Sequence, residues 1–139
     1  MPNPRSIIVV VDDDAGMNQA IERLLKATGF QALTFSSGEA LLDAGLPKNT
    51  ACLIFDVHLP TMTGFELHQQ ITREGARLPV IFITAYDDPD SHARSASAGA
   101  VAFLTKPFSG QKLISAIFKA IGSEPPISTP KPVSPQPKE

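Results

Sequence analysis

The sequence predicts a single α/β domain in which a five-stranded parallel sheet is doubly wound, with helices on both faces. Three observations carry this prediction. Five short apolar runs alternate with stretches whose apolar residues fall at helical spacing. The central runs are apolar at consecutive positions, as strands covered on both sides by crossover helices require. The runs also end on polar groups: aspartates after the first and third, a threonine on the fourth and a lysine after the fifth.

The first run, "SIIVVV" (6–11), is β-branched and leads straight into Asp12, Asp13 and Asp14. Ala20, Ile21, Leu24 and Leu25 then mark a first helix, with Gly29 as its stop. "QALTF" (31–35) reads as the second strand. Ser36 and Glu39 have capping-box spacing, so a second helix is expected to open there and run through Ala40, Leu41 and Leu42. "ACLIFD" (51–56) is the third strand, and "HLPTMTG" breaks regular structure after it. Thr63 and Glu66 repeat the capping-box spacing and open a helix through Phe65 to Ile71.

"PVIFIT" (79–84) is the fourth strand. Asp88 and Pro89 suit the N-cap and first position of a fourth helix that ends near Gly99. Its stretch "SHARSASAGA" lacks large apolar side chains, so this helix is expected to pack loosely. "VAFLT" (101–105) is the fifth strand. Ser109 caps a last helix whose Leu113, Ile114, Ile117, Phe118 and Ile121 form an apolar stripe, closed by Gly122. Residues 1–122 are thus expected to form the domain. The stretch 123–139, "SEPPISTPKPVSPQPKE", has no periodicity and reads as a proline-rich disordered tail or linker.

A chain of 139 residues suits one domain with a real core. Its net charge of -2 argues against a broad nucleic-acid surface. The single cysteine, Cys52, allows no internal disulfide, fits a reducing compartment and reads as a small buried hydrophobe. "MPNPRS" does not read as a signal peptide, and no run approaches the roughly 20 apolar residues of a membrane helix. A cytoplasmic location with no membrane contact is expected.

In sheets of this kind ligands bind beyond the carboxyl ends of the strands. Asp12, Asp13, Asp56, Thr84 and Lys106, far apart in sequence, should therefore share one edge. Two carboxylates about 4 Å apart repel by roughly 4 kcal/mol at an effective dielectric of about 20, so cations are expected among them. Lys106 supplies one charge, and a divalent ion would supply two more. Oxygen-only ligands favour Mg²⁺, Mn²⁺ or Ca²⁺ over zinc, and an open site with few protein ligands favours Mg²⁺. A carboxylate can attack phosphorus to form an aspartyl phosphate, chemistry that needs positioning and charge neutralisation. Asp56, alone on its strand opposite the acidic pair, is the candidate nucleophile.

Taken singly, these residues have plainer readings. Thr84 would be a strand-end hydroxyl, Lys106 a surface charge and Phe103 a core residue. Asp14 suits the start of a helix. His68 and His92 have no metal-ligand spacing and read as ordinary surface residues.

The pair Asp12-Asp13, "FDVHLPTMTG" around the third strand, "FITAY" at the fourth and "TKPF" after the fifth occur in that order. Over residues 5–122 the chain resembles the response-regulator receiver domain of two-component signalling, the CheY-like superfamily. The resemblance implies a flavodoxin-like sheet of strand order 2-1-3-4-5. It implies that Asp56 is phosphorylated by a sensor histidine kinase or phosphotransfer protein. Mg²⁺ would be held by Asp12, Asp13, Asp56 and the backbone carbonyl of His58. Lys106 would pair with the phosphoryl oxygens, Thr84 would bond them through its hydroxyl, and Phe103 would follow Thr84 as the switch aromatic. The Lys106–Pro107 bond is expected to be cis.

Such a protein is not an enzyme on a separate substrate, although it can catalyse its own phosphorylation and dephosphorylation. Its output is a changed face of helix four, strand five and helix five, with a possible homodimer on phosphorylation, although the Ser/Ala-rich fourth helix argues against the usual dimer face. His58 and Tyr86 are bulky at positions flanking the path of attacking water, which predicts slow self-dephosphorylation. "GAVAFLTKPF" resembles receivers that precede helix-turn-helix output domains, so a stand-alone receiver and the front of a longer regulator both stay open. Direct nucleic-acid binding by this domain is not expected.

Two other functions fit parts of the pattern. A flavodoxin-like cofactor binder would want glycines and hydroxyls after strand one, where "DDDAG" repels phosphate. A haloacid-dehalogenase-type phosphatase would use Asp12 as nucleophile with Asp14 two residues on, and would leave Asp56 and "TKPF" without a role.

Overall fold

The computed structural model of the chain describes residues 6–122. The expected tail, 123–139, lies outside the described residues. Strands β1 (Ile7–Val11), β2 (Gln31–Phe35), β3 (Thr50–Asp56), β4 (Val80–Thr84) and β5 (Ala102–Thr105) alternate with helices α1 (Ala15–Ala27), α2 (Gly38–Ala44), α3 (Gly64–Arg73), α4 (Pro89–Ser97) and α5 (Gly110–Ile121). The strands form one parallel sheet in the order β2-β1-β3-β4-β5. The flavodoxin-like α/β fold expected from the sequence is the fold observed.

Alternation along each strand divides the core in two. Ile8, Val10, Cys52, Ile54, Ile81 and Ile83 face α1 and α5, where they meet Ile21, Leu25, Leu113 and Ile117. Val9, Val11, Leu53, Phe55 and Phe82 face the other way, onto Leu41 of α2 and Phe65, Leu67 and Ile71 of α3. Cys52 is fully buried as expected, and burial pushes its thiol up to about 12.

Local capping chemistry sets where the helices begin. Asp14 accepts from the N–H groups of Gly16 and Met17 at the start of α1. Thr63 and Glu66 form the full capping box of α3. Asp88 and Ser109 cap α4 and α5. The second helix departs from expectation. Its N-cap is Ser37, whose hydroxyl accepts from the Ala40 N–H at 3.1 Å, rather than Ser36. Ser37 carries the extended backbone that a cap needs, so the helix opens one residue later and Glu39 falls within its first turn.

Candidate functional site

The parallel register aligns the strand tips. Val11 pairs with Phe35 and Phe55, Asp56 with Ile83, and Thr84 with Thr105. The side chains that end or follow the central strands therefore meet at one edge. Carboxylate oxygens of Asp12, Asp13 and Asp56 lie within 4.8 Å of one another. Asp12 and Asp56 are buried, whereas Asp13 is exposed. Lys106 Nζ donates to Asp12 Oδ2 at 2.9 Å and to Asp56 Oδ2 at 3.1 Å. The Lys106–Pro107 bond is cis, as expected.

Backbone groups complete the setting of the carboxylates. Asp56 Oδ1 accepts the His58 N–H at 2.9 Å, and Asp12 Oδ1 accepts the Asp14 N–H at 2.9 Å. The chain then turns back beneath Asp56. A Cβ on Gly64 would sit 2.3 Å from the Asp56 carbonyl oxygen, so only glycine fits this approach.

Burial leads the electrostatics of the cluster. Burial pushes the Asp12 carboxyl above its usual range, and Asp56 adds to the push; Lys106 and the Asp14 N–H oppose it without cancelling it. Burial also works against the charge on Lys106. The two carboxylates together outweigh it and hold the ammonium above its usual value. Three carboxylates thus lie together with one ammonium, which two of them, Asp12 and Asp56, share, and the donors are all oxygens. That donor set fits a hard divalent cation such as Mg²⁺ and does not fit a thiolate- or imidazole-bound metal.

Thr84 and Phe103 take separate places. Thr84 is buried at the end of β4, but its hydroxyl is turned to the following segment: it accepts the Tyr86 N–H at 3.0 Å and donates to the Tyr86 carbonyl at 3.1 Å. Phe103 is half-buried at the edge of the second core cluster, with its ring against His92. His58 and Tyr86 meet edge to face, centroids 5.3 Å apart. His68 departs from the surface position expected of it, whereas His92 is exposed as expected. His68 is half-buried edge-on to Phe82, and His92 joins Asp87 to Phe103. Metal-ligand spacing, the test applied to them in sequence, does not register contacts with rings on other elements.

Asn18 has a role that its type did not announce. It is buried on the same stripe of α1 as Ile21 and Leu25. Its Nδ2 donates to the carbonyls of Asp12 at 2.7 Å and Phe35 at 3.2 Å, tying together the tips of β1 and β2. A polar residue in an apolar helical stripe is the available signal, because a buried amide must find partners.

The arrangement offers a carboxylate held between a backbone N–H and an ammonium, beside two further carboxylates able to share a cation. It can present a charge-neutralised nucleophile to an anionic electrophile.

Comparison with known proteins agrees with this geometry. The sequence profile of the response regulator receiver domain matches residues 8–118. Nodulation protein W of Bradyrhizobium diazoefficiens is 34% identical over 116 residues, which are 84% of this chain and 51% of that protein. The chain spans about half the length of the curated relatives it matches. Among solved structures, a response regulator receiver protein from Burkholderia phymatum is 38% identical with a TM-score of 0.77, over 88% of this chain and 100% of that one. The BeF3-activated DrrB receiver domain is 27% identical with a TM-score of 0.77, over 85% of this chain and 98% of that one. Among the described residues no helix is long and apolar enough to cross a membrane. Motif order, strand order and profile match agree, and the chain belongs to the response-regulator receiver domains, the signalling domains of two-component systems.

Proposed function

We propose that this domain accepts a phosphoryl group on Asp56 from a phosphohistidine of a sensor histidine kinase or phosphotransfer protein, and that the reaction depends on Mg²⁺. The observation that carries the proposal is the bridge made by Lys106 between Asp12 and Asp56, with Asp13 in the same cluster.

An Asp56 carboxylate oxygen attacks phosphorus, and the imidazole departs with the electron pair of the P–N bond. Asp12, Asp13, Asp56 and the His58 carbonyl would hold Mg²⁺, which when bound supplies Lewis-acid neutralisation of the phosphoryl oxygens. The His58 N–H and Lys106 orient the nucleophile, and Lys106 then shifts onto the phosphoryl oxygens. Thr84 exchanges its bonds to Tyr86 for a bond to the phosphoryl group. Phe103 follows, and the face formed by α4, β5 and α5 changes shape for a protein partner. This is a population shift: the phosphoryl group stabilises an arrangement already present as a minor state. The domain acts in the cytoplasm as a phosphoacceptor that also hydrolyses its own aspartyl phosphate.

The test is labelling of the full chain by acetyl phosphate. With Mg²⁺ the wild type is expected to gain the mass of one phosphoryl group. Chelation of the metal and the Asp56→Asn substitution are each expected to abolish the gain. An unchanged gain in Asp56→Asn would refute the proposal. The contact between His58 and Tyr86 supports a slow loss of the label. His58→Ala and Tyr86→Ala are each expected to shorten its lifetime; unchanged lifetimes would remove the screen from the account.

A further inference from the structure

His92 stands between the two parts of the switch just proposed. Its ring packs on Phe103 with centroids 4.4 Å apart and planes tilted by 48°. Its Nε2 bonds Oδ1 of Asp87. An ionised carboxylate can only accept, so Nε2 carries the hydrogen whether or not the ring is charged. Asp87 belongs to the segment between β4 and α4, directly after Tyr86, whose backbone holds the Thr84 hydroxyl. One imidazole therefore touches β5 and the connecting segment together. Its base is well fixed: the neighbouring Ser91 gives both its N–H and its hydroxyl to Asp88, at 2.7 and 3.2 Å.

We propose that Asp87 and His92 form a latch that holds Phe103 and the β4–α4 segment in the arrangement where Thr84 is bonded to Tyr86. They are positioning residues; neither belongs to the acidic cluster or contacts Lys106. For the Thr84 hydroxyl to turn toward Asp56, its bonds to Tyr86 must break and the segment must shift. Asp87 moves with that segment and pulls on the imidazole that covers Phe103. Phe103 is itself only half-buried, so the His92 ring is a substantial part of what opposes its reorientation. Releasing the latch raises the population of the switched arrangement in the unphosphorylated protein. A ligand selective for that arrangement then binds more tightly, in proportion to the population gained.

The inference rests on the reading of Asp56 as the acceptor, and the experiment separates the two. The eight phenylalanines of the full chain are replaced by 4-fluorophenylalanine, and the fluorine signal of Phe103 is identified by its loss in Phe103→Leu. Beryllofluoride with Mg²⁺ serves as the phosphoryl mimic. In wild type the Phe103 signal is expected to move only on titration. In His92→Ala and in Asp87→Ala it should lie partway to the titrated position beforehand. Apparent affinity for beryllofluoride should rise about two- to fivefold, the range open to an exposed polar side-chain pair. The double variant should do no more than His92→Ala alone, because Asp87 acts through the imidazole. His92→Gln, which keeps a donor for Asp87, should recover part of the wild-type behaviour. His92→Phe, which keeps a ring without the donor, should recover only what ring packing on Phe103 supplies and should be insensitive to Asp87→Ala.

The latch is overturned if both alanine variants leave the Phe103 signal and the affinity at their wild-type values, or if their effects add. If beryllofluoride moves Phe103 in no variant and not in wild type, the Asp56 reading fails instead. The signals without ligand then decide the latch by themselves, and an unmoved signal in His92→Ala overturns it.

Discussion

Two helices flank β5, and they are held in opposite ways. α5 buries Leu113, Ala116, Ile117 and Phe118, and Phe118 packs on Phe30 with ring centroids 5.5 Å apart. α4 buries two serines, Ser91 and Ser95, and no large apolar side chain. Beside it an open groove of about 510 Å³ separates α4 from α3, lined by Phe65, His68, Thr72, Arg94 and Ser97 among others. Across this groove the Arg94 guanidinium lies 4.9 Å from the centre of the Phe65 ring. Burying one large apolar side chain stabilises by about 1.5–3 kcal/mol, which α5 collects several times and α4 does not. The contrast teaches where movement can occur. α5 fixes one side of the switch strand, and α4 is attached by its cap, one cation–π contact and the ring contact of His92 with Phe103. A small free-energy change at the strand tips can shift such an element without disturbing the core.

The largest test of this contrast is Phe118→Ala. It should lower stability by about 3–5 kcal/mol in denaturant unfolding, as truncation of a buried aromatic does. A loss under about 1 kcal/mol would put α5 on the same footing as α4. Hydrogen exchange sharpens the comparison without mutation. Amides of α5 should exchange only with global opening, while those of α4 should exchange through an opening of lower free energy; equal protection would erase the distinction. Arg94→Ala should cost about 0.5–1 kcal/mol by loss of its contact with Phe65, measured in the same denaturant.

The smallest effect is a pH dependence at His68, on the α3 wall of the groove. Burial lowers its pKa from the ordinary 6.5. Between 6.5 and the lowered folded value the unfolded chain binds more protons than the native protein. Stability should therefore fall as pH drops through that interval and level off below it. His68→Gln should flatten the dependence; an unchanged pH profile would show that His68 is not its source.

Most of the frame was legible because it rests on local rules. Alternation and β-branched runs located all five strands, and Asp14, Thr63, Asp88 and Ser109 start their helices as their residue types indicate. The meeting of Asp12, Asp13, Asp56 and Lys106 was legible once the strands were read as parallel, because parallel strands bring their carboxyl ends to one edge. The cap of α2 was misplaced by one residue because two adjacent serines offer the same hydroxyl, and backbone conformation chooses between them. The turn of Thr84 toward Tyr86 is a local choice of hydroxyl partner, while the reach of Asn18 across two strand tips and the pairing of His92 with Phe103 join residues by tertiary contact. Neither spacing nor propensity registers such contacts.

The most direct measurement is to locate the acyl phosphate within the chain. Wild-type protein is labelled with acetyl phosphate and Mg²⁺, the labelled carboxyl is reduced with borohydride, and peptides are sequenced by mass spectrometry. The account predicts modification at Asp56 alone. A label at Asp12 or Asp13, with Asp56 unmodified, would contradict it and would favour a nucleophile at the end of β1.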